Sequence, residues 1–178
     1  MSEVPLKHEI LLYRCGCSHC DTAEKELKRL ADLHGASLDI RQVKKEGVYD
    51  GWTTPMVYVN GVKITSYALS PQKWEKALSA PLERKKLRGE IVDLRCYEKN
   101  GAKGPAHQKC AELCVMEIKL PMGLLTAEGE LYQFAANREG GALYEELKQR
   151  IGAQVEIAGE VYQWESKRTL TAREMNRL

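Results

Sequence analysis

Three cysteines fall within six positions of the segment LLYRCGCSHCDTAEKELKRL: Cys15, Cys17 and Cys20. Cys17 and Cys20 have CxxC spacing, so one thiol can resolve a mixed disulfide formed on the other without leaving the molecule. An apolar run precedes them and a helical pattern follows, which puts Cys17 where a strand hands over to a helix. There the free N–H groups and the positive end of the helix dipole favour thiolate over thiol. A protonated His19 would lower the pKa of Cys17 further. With Cys15 included, the segment is also CxC plus CxxC, three soft donors that suit Zn, Cu(I) or a Hg-like ion. The third reading is packing, with the thiols as small buried hydrophobes, but the start of a helix is hard to bury. Redox chemistry is favoured: Cys17 attacks, Cys20 resolves, His19 tunes, and Cys15 is an auxiliary thiol or a packed strand-end residue.

The other three cysteines, Cys96, Cys110 and Cys114, lie beyond residue 81. If Pro105 starts a helix in GPAHQKCAELC, His107, Cys110 and Cys114 fall at i, i+3 and i+7 on one face. Cys96, expected at the end of a strand, can approach that face. One histidine and three cysteines make a common tetrahedral zinc set, and Met116 and Met122 would add soft donors for copper. A Zn or Cu ion is thus the cofactor these residues can hold. Two alternatives stand beside it: a disulfide from Cys96 to Cys110 or Cys114, and packing of the two helical cysteines with Ala106 and Leu113. The HxxCAxxC pattern resembles segments of small bacterial domains without assigned activity.

Two sets of elements must position these groups. EILLYR is a continuous apolar run, as expected of a strand buried on both faces. Ala23, Leu27, Leu30 and Ala31 then recur at helical spacing up to Gly35, a C-cap residue. SLDIRQV alternates as a strand, MVYVNGVKI reads as a hairpin about Asn60-Gly61, and Ser70-Pro71 opens a helix with Trp74, Ala77 and Leu78 on its apolar face. The order is β-α-β, a linker, then β-β-α. Residues 81–86, with a proline and the charge run of ERKKLR, read as a domain boundary. Beyond them LRGEIVDLRC is a strand with a bulge between Ile91 and Val92, and GLLTAEGELYQF is a hairpin. ALYEELKQRIG is a helix, and QVEIAGEVYQW and RTLTARE are strands. Three strands, a helix and two strands is the order of a small OB-like five-stranded barrel.

The first half resembles the thioredoxin superfamily, its glutaredoxin-like members most, over about residues 8 to 80. The likeness rests on the strand-CxxC-helix unit and on TTPMVYVNG, which matches that family's threonine-x-proline before the hairpin. It implies that Pro55 is cis and faces the cysteines, and that Thr54 offers backbone to an extended substrate. Histidine before the second cysteine is similar to the motif of bacterial disulfide-introducing enzymes. The chain departs from the family at Cys15 and at Thr65-Ser66, where a glycine pair is usual. The expected architecture is an α/β thioredoxin-like domain (1–80), a linker (81–86) and an OB-like barrel with a Cys/His cluster (87–178). The expected function is thiol–disulfide oxidoreductase, acting on a protein or small-molecule thiol or disulfide. The alternative is a non-enzymatic soft-metal binding or transfer protein.

Composition narrows the partners. The net charge of +2 is split evenly, 11 basic against 10 acidic side chains up to residue 80 and 16 against 15 after it. That balance gives no electrostatic footprint for nucleic acid. Aromatics for base stacking (Tyr97, Tyr132, Phe134, Tyr144, Tyr162, Trp164) have few Lys or Arg between them. No apolar run approaches the roughly 18 residues of a membrane span. MSEVPLKHEILLYR lacks the pattern of a signal peptide, so a cytoplasmic location is expected, a periplasmic one being the alternative if a leader precedes this sequence.

Overall fold

The computed structural model describes residues 5–43, 54–135 and 141–178. The chain divides into two units, Met1–Pro81 and Leu82–Leu178.

Unit 1 runs β1 (Glu9–Arg14), α1 (Ser18–His34), β2 (Ser37–Gln42), β3 (Met56–Val59), β4 (Val62–Ser66) and α2 (Pro71–Leu78). Its sheet has the order β2-β1-β3-β4. β1 runs parallel to β2 and antiparallel to β3, and β3 antiparallel to β4. β1 is therefore an inner strand, which is why Ile10, Leu11 and Leu12 are consecutive and all buried. On the edge strand β2 only Leu38 and Ile40 are half-buried. α1 packs on β1 and β2, and α2 on β3 and β4. Gly35 ends α1 with φ 62°, its N–H reaching the Ala31 and Asp32 carbonyls. Asn60 and Gly61 both take positive φ, 47° and 82°, as a two-residue hairpin turn requires. Trp74 is fully buried, and its indole N–H donates to Thr65 Oγ1 at 2.7 Å, so no donor is orphaned beneath the hairpin. Ser70 stands at the N-cap of α2 with Pro71 in the first turn, but its hydroxyl makes no capping bond. The expected linker before β3 lies mostly outside the described residues.

Unit 2 contains β5 (Leu82–Asp93), α3 (Leu94–Asn100), a 3-10 turn (Pro105–His107), α4 (Gln108–Glu112), a π-turn (Leu113–Glu117), β6 (Met122–Thr126), β7 (Leu131–Phe134), α5 (Ala142–Lys148), β8 (Gln154–Trp164) and β9 (Lys167–Arg177). Its five strands close into a barrel, β5-β6-β7-β9-β8. β7 and β9 pair in parallel, and every other pairing is antiparallel. This is an OB-like barrel, filled by Ile91, Leu124, Phe134, Leu147, Ile157 and Leu170. Tyr132, Phe134, Tyr144, Tyr162 and Trp164 are buried too, so these rings offer no stacking surface.

Three expectations for this half need correction. Residues 82–86 are not a linker: Leu82 to Lys86 pair residue by residue with β8, from Tyr162 to Ala158. A strand exposed on both faces can still form when its neighbour supplies the backbone ladder and opposite charge. Here Lys86 and Arg88 both meet Glu156, at 3.4 and 2.7 Å. Cys96 does not end a strand, because β5 stops at Asp93. The Asp93 carboxylate accepts the N–H groups of Arg95 (3.0 Å) and Cys96 (3.4 Å) and so starts α3. No bulge separates Ile91 from Val92; β5 keeps its register against β6 from Gly89 to Asp93. The strand changes partners near Gly89, where a Cβ would lie 2.3 Å from the Leu125 carbonyl oxygen. The bulge falls instead on β9, where Arg173 is the extra residue opposite Ala158 and Gly159.

Among the described residues, no helix is long and apolar enough to cross a membrane.

Candidate functional site

Each unit brings three cysteine sulfurs within 4.8 Å of one another, Cys15/Cys17/Cys20 and Cys96/Cys110/Cys114. Both triangles join one half-buried, one exposed and one buried cysteine.

In unit 1 the strand-to-helix handover builds the triangle. β1 ends at Arg14, Gly16 turns the chain with φ 87°, and Cys17 is the N-cap of α1. One turn on, Cys20 points inward and is fully buried. Its Sγ lies 3.6 Å from Cys17 Sγ and 3.8 Å from Cys15 Sγ, and the Cys15 N–H points to it at 3.5 Å. A tetrahedral ion with metal–sulfur bonds of about 2.3 Å has S···S edges of about 3.8 Å, so the triangle fits a thiolate-bound ion as well as a dithiol.

The thiols differ in acidity for local reasons. Hydrogen bonding from the Thr54 hydroxyl, then from the Cys17 backbone N–H and thiol, lowers Cys15 to about 6. Burial raises Cys20. The Thr54–Pro55 bond is cis. Thr54 reaches the cysteines through its hydroxyl, a contact absent from the reading that gave it only a backbone role.

His19 meets the loop that follows β4. Its Nε2 lies 2.6 Å from the Tyr67 carbonyl, and the two rings stack tilted, 4.9 Å apart. A carbonyl only accepts, so Nε2 carries the hydrogen and is directed at the Tyr67 loop. Tyr67 is exposed, has φ 65°, and donates its N–H to the Pro55 carbonyl. His19, Tyr67 and Pro55 thus form a connected rim beside the thiols. Behind them, Arg14 forms ion pairs with Asp21 and Glu24 and ties the end of β1 to α1. Tyr67 carried no sequence signal. The Arg14/Asp21/Glu24 triad was visible only as charge spacing across a turn.

In unit 2 the backbone passes from the 3-10 turn through α4 into the π-turn, carrying His107, Cys110 and Cys114 along one segment. Such changes of helical pitch recur at functional sites. Cys96, on the first turn of α3, completes the triangle. Asp93, which the sequence reading did not select, is fully buried, and its Oδ2 lies 4.0 Å from His107 Nε2. Neither atom has a hydrogen-bond partner. Asp93, Cys96 and His107 form a second donor group sharing Cys96 with the sulfur triangle. Hydrogen bonding to the Asp93 carboxylate, then burial, pushes Cys96 up to about 12, and burial, then Asp93, raises Cys114. Met122 is sealed in the barrel core and Met116 is exposed.

Comparison with known families, with curated proteins and with solved structures gives no match.

Proposed function

We propose that unit 1 is a thioredoxin-superfamily domain of the glutaredoxin-like kind that carries out thiol–disulfide exchange. The observation that carries this is the exposed Cys17 sulfur 3.6 Å from buried Cys20 at the start of α1, with the Thr54 hydroxyl against the same group of thiols. The β2-β1-β3-β4 order, with α1 after the first strand and α2 after the last, agrees with that family.

The Cys15 thiolate accepts a hydrogen bond from the Cys17 thiol. Passing that proton to Cys15 leaves Cys17 as the nucleophile. Cys17 attacks one sulfur of a protein or small-molecule disulfide, forms a mixed disulfide and releases the other sulfur as a thiolate. Cys20 then gives its proton to the thiolate released first and attacks Cys17, which closes the Cys17–Cys20 disulfide and expels the second thiolate. The dithiol gives up two electrons and the substrate gains two.

Cys20→Ser is expected to trap a mixed disulfide with glutathione disulfide, and Cys17→Ser to trap none. Cys15→Ser should slow exchange and move its pH midpoint upward. Equal trapping by the Cys17 and Cys20 variants would remove the assignment. A second reading, soft-metal binding or transfer, is favoured by the third sulfur, Cys15, whose 3.8 Å spacing from Cys20 matches the edge of a coordination polyhedron. Metal content measured alongside free-thiol count, before and after mild reductant, separates the two.

A further inference from the structure

We infer that unit 2 binds one divalent ion of the zinc class through Asp93, Cys96, His107 and Cys114, with Cys110 at the solvent mouth of the site. The inference is independent of the exchange chemistry of unit 1.

Asp93 is the starting point. Its Oδ1 caps α3, but Oδ2 is fully buried and has no hydrogen-bond partner. Leaving one oxygen of a buried carboxylate without a partner is costly. Among the described residues the one basic group at ion-pair distance is His107, at 4.0 Å and also without a hydrogen-bond partner at Nε2. Two orphaned donors aimed at the same space, with two thiols against the carboxylate, form a cage that a cation would complete. In a tetrahedral site with bonds of about 2.0 Å to nitrogen and oxygen and 2.3 Å to sulfur, donors lie about 3.3 to 3.8 Å apart. Asp93, Cys96 and His107 offer donor atoms within 4.8 Å of one another, and Cys114 Sγ lies within the same distance of Cys96 Sγ, the ligand the two groups share.

Burial separates this set from the three-cysteine set. Asp93 and Cys114 are buried and Cys96 and His107 half-buried, whereas Cys110 is exposed. An ion inside meets Cys110 last or on entry. Two thiolates, an imidazole and a carboxylate are a borderline-soft set that matches Zn²⁺ and admits Co²⁺ as a probe.

The test uses the full chain carrying Cys15→Ser and Cys17→Ser, which silences the first triangle. Under reducing conditions Co²⁺ should bind at one equivalent, with thiolate-to-cobalt charge transfer and tetrahedral d–d absorption, and one equivalent of Zn²⁺ should displace it. Cys96→Ser should abolish the charge-transfer band or cut it sharply. Asp93→Asn, which keeps the cap oxygen, should weaken Zn²⁺ binding by about 10- to 100-fold, as loss of a weak ligand or its orienting partner does. Cys110→Ser should keep the tetrahedral spectrum. No cobalt band in the silenced background overturns the inference. So does a Cys110→Ser variant that loses the band while Asp93→Asn keeps full affinity. Should Cys96→Ser fail to fold, amide exchange in the unsubstituted protein decides: Zn²⁺ should slow it across residues 105–117, and unchanged exchange there overturns the site.

Discussion

Both sulfur triangles lie within 4.8 Å and have the same sequence of burial, and their neighbours set them apart. Around Cys15 the neighbours donate, the Thr54 hydroxyl and the Cys17 N–H among them, so negative charge is welcome and the thiol falls to about 6. Around Cys96 the dominant neighbour is a buried carboxylate, so negative charge is repelled and the thiol rises to about 12. Sulfur spacing alone therefore does not choose between electron transfer and metal binding; the charge facing the sulfurs does. A site that stabilises its own thiolate is ready for exchange. One that refuses the thiolate until a cation arrives is suited to hold an ion.

The largest expected difference is in reactivity. At pH 7 in reduced, metal-free protein, the thiolate fractions of Cys15 and Cys96 differ by about 10⁵-fold. The greater intrinsic nucleophilicity of the more basic sulfur returns part of that. Alkylation of Cys15 should then exceed that of Cys96 on the order of 10²-fold, read by mass mapping of iodoacetamide-labelled peptides. Equal rates would break the comparison at its root.

Next in size is the response to metal. Zn²⁺ at about 100 times its dissociation constant adds about 2.7 kcal/mol to the unit that binds it. For a unit of this size that is on the order of 10 °C in the melting transition. The shift should appear in the unit 2 transition and disappear with chelator, while disulfide exchange by unit 1 is unaffected by the chelator. A shift confined to unit 1 would reverse the assignment.

The pH dependence of stability should have opposite signs in the two units. Cys15 titrates lower when folded than its ordinary value of 9.0. Its contribution is complete above about 9 and is lost as pH falls toward 6. Cys96 titrates higher when folded, near 12. Its contribution is complete below about 9 and is lost as pH rises toward 12. Denaturant titrations of reduced, metal-free protein from pH 6 to 10 should show unit 1 gaining between 6 and 9 and unit 2 weakening above 9. Parallel curves would contradict this.

The smallest effect sharpens the first site. Thr54→Val removes the hydroxyl that contributes most to lowering Cys15. A hydrogen bond to a charged group is worth about 1.5–3 kcal/mol, so the alkylation midpoint of Cys15 should rise by about one to two pH units. An unchanged midpoint would transfer that role to the Cys17 backbone.

Much of this was legible in the sequence where one local pattern had one structural solution. The apolar run of β1, the Gly35 stop and the Asn60-Gly61 turn all name their elements directly. The charged half of β5 was not legible, because its fold comes from a partner strand some 75 residues away and not from its own apolar pattern. Cys96 was misplaced because a helix cap at Asp93 overrode a strand-like run of residues. For the same reason Asp93 was missed as a site residue: its importance lies in burial and an unpaired oxygen, which no spacing encodes. The cysteine motifs announced two sites, but the roles of Thr54 and Tyr67 depend on loops meeting across the fold.

The most direct test treats reduced, metal-free, full-length protein with glutathione disulfide at pH 7 and maps every cysteine by mass over time. The account predicts glutathione at Cys17 followed by a Cys17–Cys20 disulfide, with Cys96, Cys110 and Cys114 recovered as free thiols. A Cys96–Cys114 or Cys96–Cys110 disulfide forming as fast as Cys17–Cys20 would contradict it.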